Sequence, residues 1–142
     1  MGSRAWHLAR AKRHKEVADF LGAAGHDDWA AVALAYAAHA VVHSVLSGDP
    51  DLPRDERHPR KHTSPSGKGM GGRGTNQLVN ARFPDEVAEA FISLFEFGRR
   101  TRYDVNKLGE NAYALMLLQY KTVETHCRLL NATREDINTQ AS

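Results

Sequence analysis

The chain has 142 residues, 42% of them hydrophobic, and a formal net charge of +2 at pH 7. That length gives one domain with a core of its own, and so small a charge does not by itself require an anionic partner. A single cysteine, Cys127, excludes an intramolecular disulfide and a cysteine-built zinc cluster, and the basic, amphipathic start lacks the apolar run of a signal peptide, so a cytoplasmic protein is expected.

The first predicted helix runs from Ser3, a candidate N-cap, to Ala24. Trp6, Arg13, Val17, Phe20, Leu21 and Ala24 recur at helical spacing, which predicts a buried stripe strongest in the second half. Arg4, Arg10, Lys12, Arg13 and Lys15 all precede the first acid, Glu16, so positive charge is concentrated here. The second helix is expected from Asp27 or Asp28, either able to cap it, to Gly48 before Asp49-Pro50. Leu34, Ala38, Val41, Val42 and Val45 form one face. Trp29, Val32, Tyr36, His39, His43 and Leu46 form another. The uncharged stretch from Trp29 to Ser47 is almost long enough for a bilayer. Its alanines, tyrosine and two histidines identify it instead as a central bundle helix.

Residues 48–75 hold four prolines and the run GKGMGGRG, and are expected to form a long irregular loop. Six Lys/Arg lie between positions 54 and 73 against two acids, and His58 and His62 repeat the four-residue spacing of His39 and His43. A helical turn is expected at 76–81. The next helix opens at Phe83-Pro84-Asp85-Glu86, with Val87, Ala90, Phe91, Leu94, Phe95 and Gly98 as its core stripe and Arg102 on the same side. The last helix is expected from Val105 to Leu130. Leu108, Ala112, Leu115, Met116, Gln119, Tyr120, Val123, Cys127 and Leu130 fit a 3.6 period, and a polar tail frays after Asn131. No alternating strand pattern occurs. The fold class is therefore all-α: an antiparallel up-and-down bundle of four or five helices over residues 1–132, with one long loop and a polar tail at 133–142.

Three segments resemble landmarks of the bacterial HEPN (higher eukaryote and prokaryote nucleotide-binding) domains. They are Trp29-Ala30-Ala31-Val32 with Tyr36-Ala37-Ala38-His39 and its aliphatic continuation, His58-Pro59-Arg60-Lys61-His62, and Arg99-Arg100-Thr101-Arg102-Tyr103-Asp104. The resemblance covers roughly residues 6 to 125. It implies a helical bundle, usually a homodimer and often part of a toxin–antitoxin or antiphage system. Many members are metal-independent ribonucleases built on an arginine followed four to six residues later by a histidine. Here that spacing matches Arg57 with His62, although Pro59 intervenes and a glycine-rich insertion follows His62.

Metal-independent RNA cleavage needs proton transfer, for which imidazole is suited, and a cation on the phosphate, for which guanidinium is suited. On this reading His62 is the general acid/base and Arg57 the phosphate clamp. His39, Arg102 and Tyr103 line the same cleft. Lys68 and Arg73 hold the RNA backbone, with His43, His58, Arg60 and Arg99 as further contacts. Two alternatives use the same residues differently. The two His-x3-His pairs would supply nitrogen ligands to a metal, or the chain is a non-catalytic assembly subunit that binds a protein partner. No cofactor is expected, since no Walker A, dinucleotide, nucleophile-elbow or HExxH pattern is present.

Overall fold

The computed structural model describes residues 2–57, 73–103, 109 and 111–141, excepting the side chains of 102, 103 and 136–141. Four long helices and one short one build it: α1 (Arg4–Ala23), α2 (Asp27–Leu46), α3 (Thr75–Arg82), α4 (Asp85–Tyr103) and α5 (Ala112–Ala141), with a 3-10 turn at Arg54–Glu56. No strand occurs among the described residues. Helix α2 packs against α1, α4 and α5, and α4 against α5. Cross-helix contacts fix the directions. His7 meets His43 and His14 meets Tyr36, so α1 and α2 are antiparallel. Gly98 lies on Ala35, while Arg82, just before α4, pairs with Asp49, just past α2, making α4 antiparallel to α2. Gln119 bonds Ser93, and Phe83 meets His126, making α5 antiparallel to α4. The result is the up-and-down bundle expected from the sequence.

Local chemistry accounts for the helix ends. The Ser3 hydroxyl accepts the Trp6 N–H at 3.1 Å and caps α1 as expected. At the other end Gly25 has φ +86°, and the His26 N–H reaches back to the Leu21 carbonyl at 2.9 Å. This is a Schellman closure, which glycine alone enters without strain. Neither aspartate caps α2. The helix starts at Asp27, so both acids lie in its first turn, where they face the positive end of the helix dipole. At α3 the Gln77 side chain accepts the Gly74 N–H at 3.0 Å, which is half of a capping box.

The core is α2 wrapped by its neighbours. Leu34, Ala37, Ala38, Val42 and Leu46 are fully buried against Val87, Phe91 and Leu94 of α4 and Met116, Tyr120, Val123 and Cys127 of α5. Helix α2 is long and apolar enough to cross a membrane, yet most of its apolar stretch is enclosed by the bundle. Close approach depends on small residues. A Cβ on Gly98 would come within 2.6 Å of the Ala35 Cβ.

Three expectations are corrected. The buried stripe of α1 is His7, Ala11 and Ala18, while Phe20 is 74% exposed and Trp6 and Arg13 also face outward. Alanines let α1 sit close on alanine-rich α2, and the larger side chains are displaced to the flanks. Helix α5 runs from Ala112, after Asn111 at φ 66°, and the expected start at 105–108, Leu108 included, lies outside the described residues. It also continues to Ala141, because Asn131 is buried and donates to the Ser44 hydroxyl at 3.0 Å, and Arg134 donates to the Val45 carbonyl at 2.6 Å. Arg134, expected in a fraying tail, thus caps a carbonyl at the end of α2 instead. Leu115, assigned to the core stripe, is exposed.

Candidate functional site

Where α1 begins and α2 ends, three imidazoles stand together. The His39 and His43 ring centroids are 4.4 Å apart, and His43 and His7 are 5.9 Å apart. His7 and His43 are buried and His39 is half-buried, so His39 is the one with partial access to solvent. His43 Nε2 shares a 2.9 Å hydrogen bond with Thr75 Oγ1 at the start of α3, and the ring tautomer decides which atom donates. The bond ties α2 to the start of α3.

The residues just before α3 are themselves clamped. The buried Glu56 carboxylate accepts the Arg73 N–H at 2.6 Å, its Nε at 2.9 Å and its Nη2 at 3.1 Å. The hydrogen bonds to Glu56 raise the Arg73 pKa against the opposing effect of desolvation. Below lies a second ionic group. Arg82 forks onto the buried Asp49 at 2.9 and 3.0 Å and reaches Asp51 at 3.2 Å. Both clusters fasten the chain between α2 and α4.

A ribbon of rings and cations runs along the exposed seam of α1 and α2. The Arg10 guanidinium lies 5.1 Å from the centroid of the Trp6 ring. The His14 and Tyr36 rings are 5.7 Å apart. Trp6, Arg10, Arg13 and Tyr36 are exposed, as is Trp29 at the far end. Burial, and then the charges of Arg10 and Arg13, hold the His14 pKa below its ordinary value. His14 therefore contributes to the ribbon as a neutral ring at neutral pH.

The sequence-predicted residues divide between these places. His39 and His43 are brought together, with His7 as a third member. Arg57 donates through Nε to the Leu52 carbonyl at 2.9 Å and through Nη2 to the Pro50 carbonyl at 3.4 Å, so its fork holds the preceding turn. Arg73, its side chain 43% exposed, pairs with Glu56. Arg99 is exposed and pairs with Glu96 at 3.2 Å. The contact of Gly98 with Ala31 and Ala35 sets the register of α4, so position 102 lies toward the start of α2. At 1.5 Å per residue this is about 15 Å along the axis from the level of His39. His58, Arg60, His62, Lys68 and the side chains of Arg102 and Tyr103 lie outside the described residues. Among the described residues no three His, Cys, Asp or Glu side chains are arranged to hold a metal ion.

His7, His14 and Thr75 were not singled out from the sequence, and Trp6 was expected in the buried stripe of α1. The pairs His7–His43 and His14–Tyr36 are each symmetric about Gly25. A helical hairpin folded at that glycine would have placed the α1 residues, but nothing local marks Thr75. In comparisons with known proteins the chain matches no family model, no curated protein and no solved structure.

Proposed function

We propose that the chain binds single-stranded nucleic acid, RNA first, along the α1–α2 seam. The observation that carries this reading is the ribbon itself: the exposed rings of Trp6 and Tyr36, with the half-buried His14 between them, stand beside the exposed guanidiniums of Arg10 and Arg13. Rings stack on unpaired bases of any sequence and guanidiniums pair with phosphates, the combination used to grip a single strand. The resemblance to HEPN domains points to the same ligand. Its finer implication is cleavage, with proton transfer at His39 or His62.

Fluorescence anisotropy with a labelled single-stranded RNA, at stepped salt concentrations, tests the proposal. Binding should weaken steeply with salt, because phosphate contacts release counterions. Trp6→Ala and Tyr36→Ala should each weaken it by about 5- to 100-fold, the range of one lost base stack. Arg10→Gln should also flatten the salt dependence. Absence of binding at low salt, or binding indifferent to both aromatic substitutions, overturns the reading. Incubating the same RNA with chelator reads cleavage separately. Activity lost in His39→Ala but not in Arg128→Ala, on the exposed side of α5, would assign the proton transfer.

A further inference from the structure

Helix α5 carries a second apolar stripe that the core does not use. Leu115, Leu118, Thr122, Thr125, Leu129 and Ala132 follow a strict three–four spacing, and every one is exposed, the three leucines at 50, 66 and 63%. At 100° per residue they fall within an arc of about 100°. That arc faces almost opposite to Met116, Tyr120, Val123 and Cys127, which pack inward. The spacing is that of a and d positions in a helix that pairs with another helix. Beside it, between α5 and α4, lies an open groove of about 560 Å³ whose walls include Leu118, Leu129, Val87, Glu86 and Lys121.

We infer that this stripe is a self-association surface, and that its occupant is α5 of a second copy, parallel and related by a two-fold axis along the helix. Two observations select that occupant. In parallel register each layer meets itself: leucine faces leucine at 115, 118 and 129, and threonine faces threonine at 122 and 125. The Thr122 hydroxyl donates to the Leu118 carbonyl of its own helix at 3.2 Å, so the small threonine layers in the middle close without an unmet donor there. Charge supports the same orientation. The groove carries Glu86 on the α4 side, and Lys121 is on the opposite edge of the stripe. A parallel two-fold brings the lysine of each copy to the glutamate of the other. An antiparallel pairing would instead set Lys121 beside Arg128 of the second copy. The stripe faces away from α1, so the pairing leaves the α1–α2 seam open and does not depend on what that seam binds.

Sedimentation of the intact chain across a concentration series is the first measurement, and a monomer–dimer equilibrium is expected. Leu118→Glu with Leu129→Glu should raise the dissociation constant by at least about a hundredfold, since central apolar anchors dominate such interfaces. Both leucines are exposed, so the far-ultraviolet dichroism, and the unfolding midpoint at concentrations where both chains are monomeric, should stay unchanged, which separates lost association from lost folding. Ala132→Cys fixes the orientation. Under mild oxidation it should give a covalent dimer, because parallel copies place the two positions face to face, while antiparallel copies separate them by about 25 Å. The buried Cys127 contributes little background. A chain that stays monomeric throughout, a dimer unaffected by the double substitution, or a dimer that Ala132→Cys does not cross-link overturns the proposal.

Discussion

Gly98 shows how much depends on one missing methyl group. Its hydrogen lets α4 touch Ala35 of α2, and the 2.6 Å that a Cβ would meet is below any real contact. Overpacking of this kind costs about 1–3 kcal/mol, against a helix-propensity gain near 1 kcal/mol for Gly→Ala. Gly98→Ala should therefore lower the urea midpoint, and adding Ala35→Gly should restore it. His14 makes a pH prediction. Its folded pKa lies below the 6.5 of the free side chain, so the unfolded chain binds the extra proton. Stability is then full above pH 6.5 and declines as pH falls from 6.5 through the folded value. His14→Gln should remove that part of the slope in urea midpoints measured across the window. Cys127 is buried, its thiol pushed up to about 12 by desolvation and then by Glu124. A thiol reagent at mildly alkaline pH should leave it untouched in the native chain and label it in denaturant.

At the level of helices, legibility followed how much each residue's surroundings resemble an average. Helix α2 reads as core because 13 of its 20 residues are buried, and α4 reads well because Val87, Phe91 and Leu94 are large, regular and inward. Helix α1 misleads. Its contact with α2 uses Ala11 and Ala18, so Trp6 and Phe20 point outward where a hydrophobicity pattern places them inside. The end of α5 misleads in the opposite sense. Asn131 and Arg134 look like solvent residues, but the C-terminal carbonyls of α2 and the hydroxyl of Ser44 are polar groups inside the bundle that need donors. Arg134→Ala should cost about 1 kcal/mol, the worth of a single such hydrogen bond. It should also lower helical dichroism as the last turns of α5 loosen, while Arg128→Ala, in an exposed pair with Glu124, should do neither.

Across the molecule, half of the candidate site was visible beforehand. His39 and His43 declare themselves by spacing. Their neighbours do not, because His7 and Thr75 reach them only through the hairpin at Gly25 and the clamp between Glu56 and Arg73. That clamp is formed by a buried carboxylate, and Glu56→Ala should lower the unfolding midpoint, at a cost of about 1–3 kcal/mol. The alanine-rich centre has a wider consequence. Seven of the 20 residues of α2 are alanine, and three helices lean on it. In a saturation library sorted for folded protein, most cores reject charge and forgive bulk. Here the band from 30 to 40 should discriminate by volume before polarity, admitting serine and glycine while refusing leucine and valine. Such a sequence can diversify freely on its outer helices, yet its central rod has almost nowhere to drift.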